Sequence, residues 1–157
     1  MQLWLLRHGE AVPHGARGSD AERELTPRGE RQAAAAGEAL ARLGLELTAC
    51  YSSPKIRARD TARLACAALG VEPAEERALA QDFDREAALE LLAAHGAEDR
   101  VLVVGHNPDL AQVVHDFTGA RIAFKKGGIA AVALHGGGRG ELLALLRPRD
   151  LESLAER

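Results

Sequence analysis

The chain has 157 residues, a formal net charge of −3 and two cysteines, a size at which one domain buries enough surface to fold without a disulfide or a bound metal. Such a charge gives no general attraction to nucleic acid or to an anionic membrane, so affinity for phosphate must come from a local cluster of basic side chains. We expect a single domain over residues 1–157 that resides in the cytoplasm, with reduced core thiols and without a membrane span or an export signal.

A short apolar strand is predicted at the start of the chain, over residues 3–6, and it runs directly into Arg7 and His8. The small and polar residues 11–24 have no periodicity, which indicates a surface loop beside the end of this strand. A helix follows, with Thr26 as its predicted N-cap.

The rest of the chain alternates predicted strands and helices. In chain order these are a strand over 47–51, a helix that includes 58–69, a helix over 84–95, a strand over 101–104, a helix that Asn107 caps and Pro108 begins, and two strands over 129–134 and 141–146 around a glycine turn. This order predicts an α/β fold, a three-layer α/β/α sandwich in which a mostly parallel sheet has an antiparallel edge.

The residues that can carry chemistry lie where two of these strands end. His8 follows the first strand beside Arg7, and His106 follows the strand over 101–104. Because open α/β sheets bind ligands at the carboxyl ends of their strands, this placement indicates a site for an anionic ligand.

Transfer of a phosphoryl group suits these residue types. A neutral imidazole is a nucleophile near pH 7, which assigns attack on phosphorus to His8. Arg7 and Arg57 can hold the phosphoryl oxygens, because a guanidinium matches phosphate in two places and keeps its charge. His106 can donate to the charge that develops during transfer.

Less specific interpretations exist for the same residues. An Arg–His pair at a strand end is commonly a surface feature, and periodicity alone leaves Arg57 as a solvated helix residue like Arg59 and Arg63. Its place in the first turn of a helix, where free N–H groups attract anions, favours Arg57. No zinc-binding spacing occurs, and the glycine run at 136–140 lacks the lysine and the helix of a P-loop, so we expect no metal and no cofactor.

Four motifs in this order resemble the histidine phosphatase superfamily, also known as the phosphoglycerate-mutase-like fold. They read Leu6-Arg7-His8-Gly9-Glu10, Leu25-Thr26-Pro27-Arg28-Gly29, Ser52-Ser53-Pro54 with Arg57-Ala-Arg-Asp-Thr61, and Gly105-His106-Asn107-Pro108. The short length and the Lys-Lys-Gly-Gly-Ile segment at 125–129 make the chain most similar to the compact bacterial phosphohistidine phosphatases of the SixA type.

The resemblance implies that His8 is transiently phosphorylated and that His106 stabilises the transfer. It assigns phosphoryl binding to Arg7 and Arg57. These roles coincide with those that the residue types suggest.

The proton donor departs from the family pattern. Many members use a glutamate from the middle of the chain, and this sequence has no clear match there. Asp82 is our candidate for the acid, with Asp84 and Glu10 as alternatives. The segment 11–13 also reads Ala-Val-Pro where mutases carry Ser and then Asn, which argues against mutase activity.

We therefore expect a metal-independent phosphatase that acts on phosphohistidine in proteins such as phosphorelay domains. Cleavage of a P–N bond expels an imidazole, which needs less help from an acid than an alkoxide does. A small-molecule phosphomonoesterase of the same superfamily and a non-catalytic phosphate-binding module are the alternatives. We expect neither a nucleic acid nor a membrane as partner.

Overall fold

The computed structural model describes residues 1–15 and 18–157 and contains a six-stranded mixed sheet. The strands are β1 (Gln2–Arg7), β2 (Ala49–Ser52), β3 (Pro73–Glu75), β4 (Arg100–Gly105), β5 (Ile129–His135) and β6 (Arg139–Leu146). They lie in the order β3-β2-β4-β1-β5-β6. The pairs among β3, β2, β4 and β1 are parallel, whereas β1 with β5 and β5 with β6 are antiparallel. The predicted parallel sheet with an antiparallel edge is confirmed.

Helices cover both faces of this sheet. They are α1 (Pro27–Arg42), α2 (Ile56–Leu69), α3 (Arg85–Leu92), α4 (Asp109–Thr118) and α5 (Pro148–Ala155). Side chains alternate along a strand, so Val101 and Val103 of β4 pack with residues of α3 and α4, while Leu102 and Val104 pack with residues of α1, α2 and α5. The fold is thus the predicted three-layer sandwich. Within 1–15 and 18–157, none of the helices combines the length and hydrophobicity that crossing a bilayer requires.

The two helices that border the strand ends begin and end on residues suited to those positions. The Thr26 hydroxyl caps α1 by accepting a hydrogen bond from Gly29 N at 3.1 Å, and Pro27 occupies the first position, where it costs no hydrogen bond. Gly70 ends α2 in a left-handed conformation, with φ of 68°. These contacts fix the start of α1, next to the segment that follows β1, and the end of α2.

Several elements differ from the sequence-based expectation. Helix α3 ends at Leu92 rather than at residue 95. Asn107 does not cap α4: Pro108 occupies the N-cap position without a side-chain hydrogen bond, and the Asn107 side chain instead donates from Nδ2 to Phe124 O at 3.3 Å. Periodicity gave no sign of β3 or α5, nor of two 3-10 turns, at Asp20–Glu22 and Arg77–Ala80. Strand β3 and the two 3-10 turns have only three or four residues, too few for a repeating pattern. Helix α5 has eight residues, as many as α3, and was missed.

The register of the parallel strands determines where the site forms. Arg7 at the end of β1 lies opposite Gly105 at the end of β4, and Ser52 at the end of β2 lies opposite Val104. The next residues of all three strands therefore emerge at one edge of the sheet. Those residues are His8, His106 and Ser53.

Candidate active site

The two strand-end histidines lie side by side. The ring centroids of His8 and His106 are 5.3 Å apart, with the ring planes inclined at 55°. Both side chains are buried, at 6% and 7% exposure. The structure therefore brings together the two histidines that the sequence placed at separate strand ends.

A main-chain contact orients the ring of His8. Its Nδ1 atom lies 2.7 Å from Gly9 O, and a carbonyl oxygen can only accept, so the proton is on Nδ1. The lone pair is consequently on Nε2. Burial, opposed by the hydrogen bond to Gly9 and assisted by the charges of Arg57, Arg7 and Lys126, lowers the pKa of His8 to about 4. His8 is therefore neutral at pH 7, the state in which Nε2 is nucleophilic.

The second histidine is held by a side chain. Nε2 of His106 lies 2.8 Å from the Ser53 hydroxyl, and its Nδ1 atom is buried and has no hydrogen-bond partner among the described residues. Burial and the charges of His8, Arg57 and Lys55 together lower the pKa of His106 to about 3, against the opposing charge of Asp20. His106 is therefore also neutral at pH 7.

Arg7 is fixed by the segment that leads into β5. Its Nη1 atom donates to Phe124 O at 2.7 Å, while its Nε atom is buried and unpaired within residues 1–15 and 18–157. Gly127 N lies 3.0 Å from both Arg7 O and His8 O. This segment thus holds both the backbone and the guanidinium at the end of β1.

Arg57, the second residue of α2, is buried, at 5% exposure. The side chains of Arg59 and Arg63 are 49% and 66% exposed. Burial therefore distinguishes Arg57 from the two neighbouring arginines, which periodicity alone could not do. Nη1 of Arg57 donates to Asp20 O at 2.8 Å, and Nη2 donates to Asp20 Oδ2 at 3.2 Å. Its Nε atom is buried and has no partner in the part of the chain that the structure describes.

Asp20 is a site residue that sequence reasoning missed. Besides Arg57, its carboxylate contacts Lys55 Nζ at 3.2 Å and Arg23 Nη1 at 3.0 Å. Partial burial raises the pKa of Asp20, but the hydrogen bonds from Arg23 and Lys55 and the charge of Arg57 outweigh that effect and hold the pKa well below its usual range. The loop around Asp20 has no periodicity, and the sequence alone does not indicate that its carboxylate reaches α2.

Two glycines allow α1 to pack against the segment after β1. A Cβ atom on Gly9 would lie 2.6 Å from Gly29 O, and one on Gly29 would overlap Glu10 O. Gly9 N also donates to Thr61 Oγ1 at 3.1 Å, and that hydroxyl donates to Arg57 O at 2.7 Å. Residues of the first three sequence motifs therefore contact one another beside the site.

The polar atoms left unpaired in this region point to a ligand. Four buried side-chain nitrogen or oxygen atoms have no hydrogen-bond partner in the part of the chain that the structure describes: Arg7 Nε, Arg57 Nε, His106 Nδ1 and Asn107 Oδ1. A buried donor without an acceptor costs about 1–3 kcal/mol, and such atoms call for an explanation. The three nitrogen atoms belong to the residues around His8, so an oxyanion bound there would supply their missing acceptors.

The candidate acids lie in other surroundings. Asp82 is exposed, and the Asp84 carboxylate caps α3 by accepting from Ala87 N at 2.9 Å. The Glu10 carboxylate accepts from the Thr26 hydroxyl at 2.7 Å. Across residues 1–15 and 18–157, none of these three carboxylates is hydrogen-bonded or ion-paired to either histidine or to the two site arginines. The assignment of Asp82 as the acid stays a prediction.

Metal ligands are not clustered in the described residues, where no group of three or more His, Cys, Asp or Glu side chains could hold an ion. Positive charge at the site is supplied by protein side chains. Arg7, Arg57 and Lys126 all lower the pKa of His8 through their charge. An anion can therefore be bound here by the chain's own cations.

Comparison with known proteins identifies the same superfamily that the sequence motifs resemble. The sequence pattern of the histidine phosphatase superfamily, branch 1, matches residues 3–86. An uncharacterized protein of Picosynechococcus sp. is 35% identical over 136 residues, which are 82% of each chain. The structure of the protein histidine phosphatase SixA complexed with tungstate superposes with a TM-score of 0.86 and 26% identity, covering 96% of this chain and 99% of the other.

A more distant structure has the same fold. It is a mutant phosphoserine phosphatase from Entamoeba histolytica in complex with phosphoserine, with a TM-score of 0.74 and 16% identity, covering 96% of this chain and 98% of the other. At that identity the likeness concerns the fold alone. The architecture is therefore common to proteins whose names give different substrates.

Proposed function

The chain belongs to the histidine phosphatase superfamily, and we propose that it hydrolyses phosphohistidine in proteins by way of a covalent phosphohistidine at its own His8. One observation carries this proposal: three buried, unpaired nitrogen atoms, on Arg7, Arg57 and His106, surround an imidazole that is neutral and oriented. A phosphoryl group has the acceptor oxygens that these atoms lack.

In the bound state, the Nε atoms of Arg7 and Arg57 donate to phosphoryl oxygens. Nη1 of Arg7 is already bonded to Phe124 O, and both terminal nitrogen atoms of Arg57 are bonded to Asp20, so both guanidinium groups are held in place before the substrate arrives. Fixed donors of this kind lower the barrier because they are in place before charge develops.

In the first step, Nε2 of His8 attacks phosphorus. A bond forms between Nε2 and phosphorus, the bond from phosphorus to the substrate nitrogen breaks, and its electron pair stays on that nitrogen, which takes a proton from solvent. The hydrogen bond from Nδ1 to Gly9 O stabilises the positive charge that His8 acquires. His106 donates from Nδ1 to an oxygen of the transferring group.

In the second step, water hydrolyses the phosphorylated enzyme. The water oxygen attacks phosphorus, the bond to Nε2 of His8 breaks, and its electron pair returns to the imidazole. Inorganic phosphate leaves and the neutral histidine is restored. The same donors on Arg7, Arg57 and His106 serve both steps, because the phosphoryl oxygens occupy the same positions.

The choice of a phosphohistidine substrate is supported by the surroundings of the carboxylates. In the described residues, the carboxylates of Asp82, Asp84 and Glu10 have no hydrogen bond to the four basic residues, and those of Asp84 and Glu10 are bonded to Ala87 N and to the Thr26 hydroxyl. An alkoxide leaving group calls for a proton donor placed beside the phosphoryl group. Imidazole is a better leaving group and depends less on such a donor. A protein histidine phosphatase is also among the structural neighbours, and its structure contains tungstate, a tetrahedral oxyanion.

A small-molecule phosphomonoesterase is the second candidate, because the phosphoserine phosphatase of E. histolytica has the same fold. The two candidates are separated by kcat/KM values for a phosphohistidine-bearing phosphotransfer protein, phosphoserine and a set of sugar phosphates. The proposal predicts the highest value for the protein substrate. A clear preference for a small phosphomonoester would favour the second candidate, and binding without turnover of any substrate would indicate a phosphate-binding module.

A further inference from the structure

We propose that Ser53 is a positioning residue, whose hydroxyl donates a hydrogen bond to Nε2 of His106 and thereby keeps the His106 proton on Nδ1, facing the phosphoryl group. The proposal rests on the proposed function only for the nature of the ligand. The hydrogen-bond arrangement itself is a property of the unliganded site and can be measured without turnover.

The contacts of Ser53 leave its hydroxyl hydrogen one partner. The side chain is fully buried, at 0% exposure, so solvent does not compete for it. Its oxygen accepts a hydrogen bond from Lys55 N at 3.2 Å. The remaining contact is with Nε2 of His106 at 2.8 Å, and a hydroxyl can donate there while it accepts from Lys55.

The two neutral forms of His106 have different consequences for an anion. If Nε2 carried the proton, it would donate to Ser53, the Ser53 hydrogen would have no acceptor, and the lone pair on Nδ1 would face the phosphoryl oxygens and repel them. If Nδ1 carries the proton, Ser53 donates to Nε2 and Nδ1 donates to the anion. Only the second form satisfies every donor and acceptor when a phosphoryl group is bound.

The tautomer of His106 matters because the ring is neutral. Burial and the nearby cations lower the pKa of His106 to about 3, so near pH 7 the ring carries one proton rather than two. A doubly protonated ring would donate from both nitrogen atoms and would not need Ser53. A singly protonated ring depends on whichever group fixes the tautomer.

Nitrogen NMR of 15N-histidine-labelled protein measures the tautomer directly. The experiment compares the wild type with Ser53→Ala, each free and saturated with inorganic phosphate. We expect the chemical shifts of His106 in the wild type to show a protonated Nδ1 and an unprotonated Nε2, and we expect Ser53→Ala to move them towards a mixture. An unprotonated Nδ1 in the phosphate-bound wild type, or an unchanged tautomer in Ser53→Ala, would overturn the proposal.

Ser52 offers a matched control. It is buried to the same degree, at 1% exposure, but its hydroxyl donates to Ser53 O at 3.2 Å and has no hydrogen bond to His106. Ser52→Ala should therefore leave the tautomer of His106 unchanged, while Ser53→Thr, which keeps a hydroxyl, should preserve it. If Ser52→Ala moved the tautomer as far as Ser53→Ala does, the effect would be general repacking and the proposal would be wrong.

Kinetics separate a role through His106 from a general structural one. We expect Ser53→Ala to lower kcat by about 10- to 100-fold with little change in KM, as for one misplaced donor. In a His106→Ala background, the same substitution should cost nothing further, because the group it positions is gone. Additive losses in the double variant would contradict the proposal. If the protein turned over no substrate, the proposed function would fail while the NMR result still decided the role of Ser53.

Discussion

The two halves of the candidate site are held by different kinds of contact. In the half that follows β1, main-chain oxygen atoms hold both groups, because Arg7 donates to Phe124 O and His8 donates to Gly9 O. A substitution at position 124 changes the side chain but leaves that oxygen in place. This half should therefore tolerate changes at the residues that support it.

In the other half, which contains Arg57 and His106, side chains hold the two groups in position. Arg57 is held by the carboxylate of Asp20 as well as by its main-chain oxygen, and His106 is held by the hydroxyl of Ser53. These contacts join residues that are 37 and 53 positions apart in the chain. This half should be sensitive to single substitutions at supporting positions, and the variants below test that difference.

The largest effect is expected from Arg57→Ala, which removes a fixed cation and its unpaired Nε donor. We expect kcat/KM to fall by about a hundredfold or more. Arg59→Ala is the matched control on the same helix, because its side chain is half exposed, and it should keep near wild-type activity. Urea unfolding of both variants is needed, since Arg57 is buried. Near wild-type activity of a folded Arg57→Ala variant would show that Arg57 does not bind the phosphoryl group.

A stability measurement tests the two histidines together. Their pKa values of about 4 for His8 and about 3 for His106 lie below the ordinary value of 6.5, so the unfolded chain binds protons at a higher pH than the folded chain does. Their contribution to stability is therefore complete above pH 6.5 and is lost as the pH falls towards 4 and then 3. We expect each histidine to lower the free energy of unfolding by about 2 kcal/mol between pH 7 and pH 5.

The check is urea unfolding at both pH values, with NMR titration of the two imidazoles. Substitution of His8 and His106 by asparagine should flatten the pH dependence by the sum of the two contributions. Titration of both rings near pH 6.5 in the folded protein would contradict the account.

A smaller effect is expected from Asp20→Asn. The variant loses the ionic contact at 3.2 Å to Arg57 but keeps the main-chain contact at 2.8 Å, so we expect kcat/KM to fall by about three- to tenfold, in line with the modest strength of partly exposed ion pairs. Asp60→Asn is the control, because Asp60 pairs with Arg59 and Arg63 on the outer side of α2. A rise in activity for Asp20→Asn would show that the carboxylate competes with substrate for Arg57.

The smallest effect on activity is expected from Phe124→Leu, because Arg7 binds the main-chain oxygen of this residue. We expect kcat/KM to stay within about twofold of the wild type, while the loss of packing costs roughly 1 kcal/mol of stability. Chemical unfolding and steady-state kinetics on the same samples check both values. A large loss of activity at nearly unchanged stability would mean that the first half of the site depends on side chains as well.

Much of the fold and the centre of the site could be predicted from local sequence features. Strands that end in Arg7-His8 and Gly105-His106 are short apolar runs followed by polar residues, and parallel strands bring such ends to one edge. Helix α1 was indicated by Thr26 and Pro27, and the structure has it at that position. These features are visible because each depends on neighbouring residues in the chain.

What could not be predicted depends on contacts between distant residues. Strand β3 has three residues and forms by pairing with β2, so it has no pattern of its own. Asp20 lies in an irregular loop, and only the folded chain brings its carboxylate to Arg57. The role of Ser53 likewise appears only when β2 and β4 are adjacent in the sheet.

Mapping of the phosphoryl group on the enzyme tests the central claim most directly. The protein is mixed with a radiolabelled phosphohistidine substrate and quenched in alkali, which preserves phosphohistidine, and the labelled peptide is identified by mass spectrometry. We predict that the label is on His8, that it turns over on the time scale of catalysis, and that His8→Ala neither forms it nor hydrolyses the substrate. An active enzyme whose label is absent from His8, or a His8→Ala variant that retains turnover, would contradict the account.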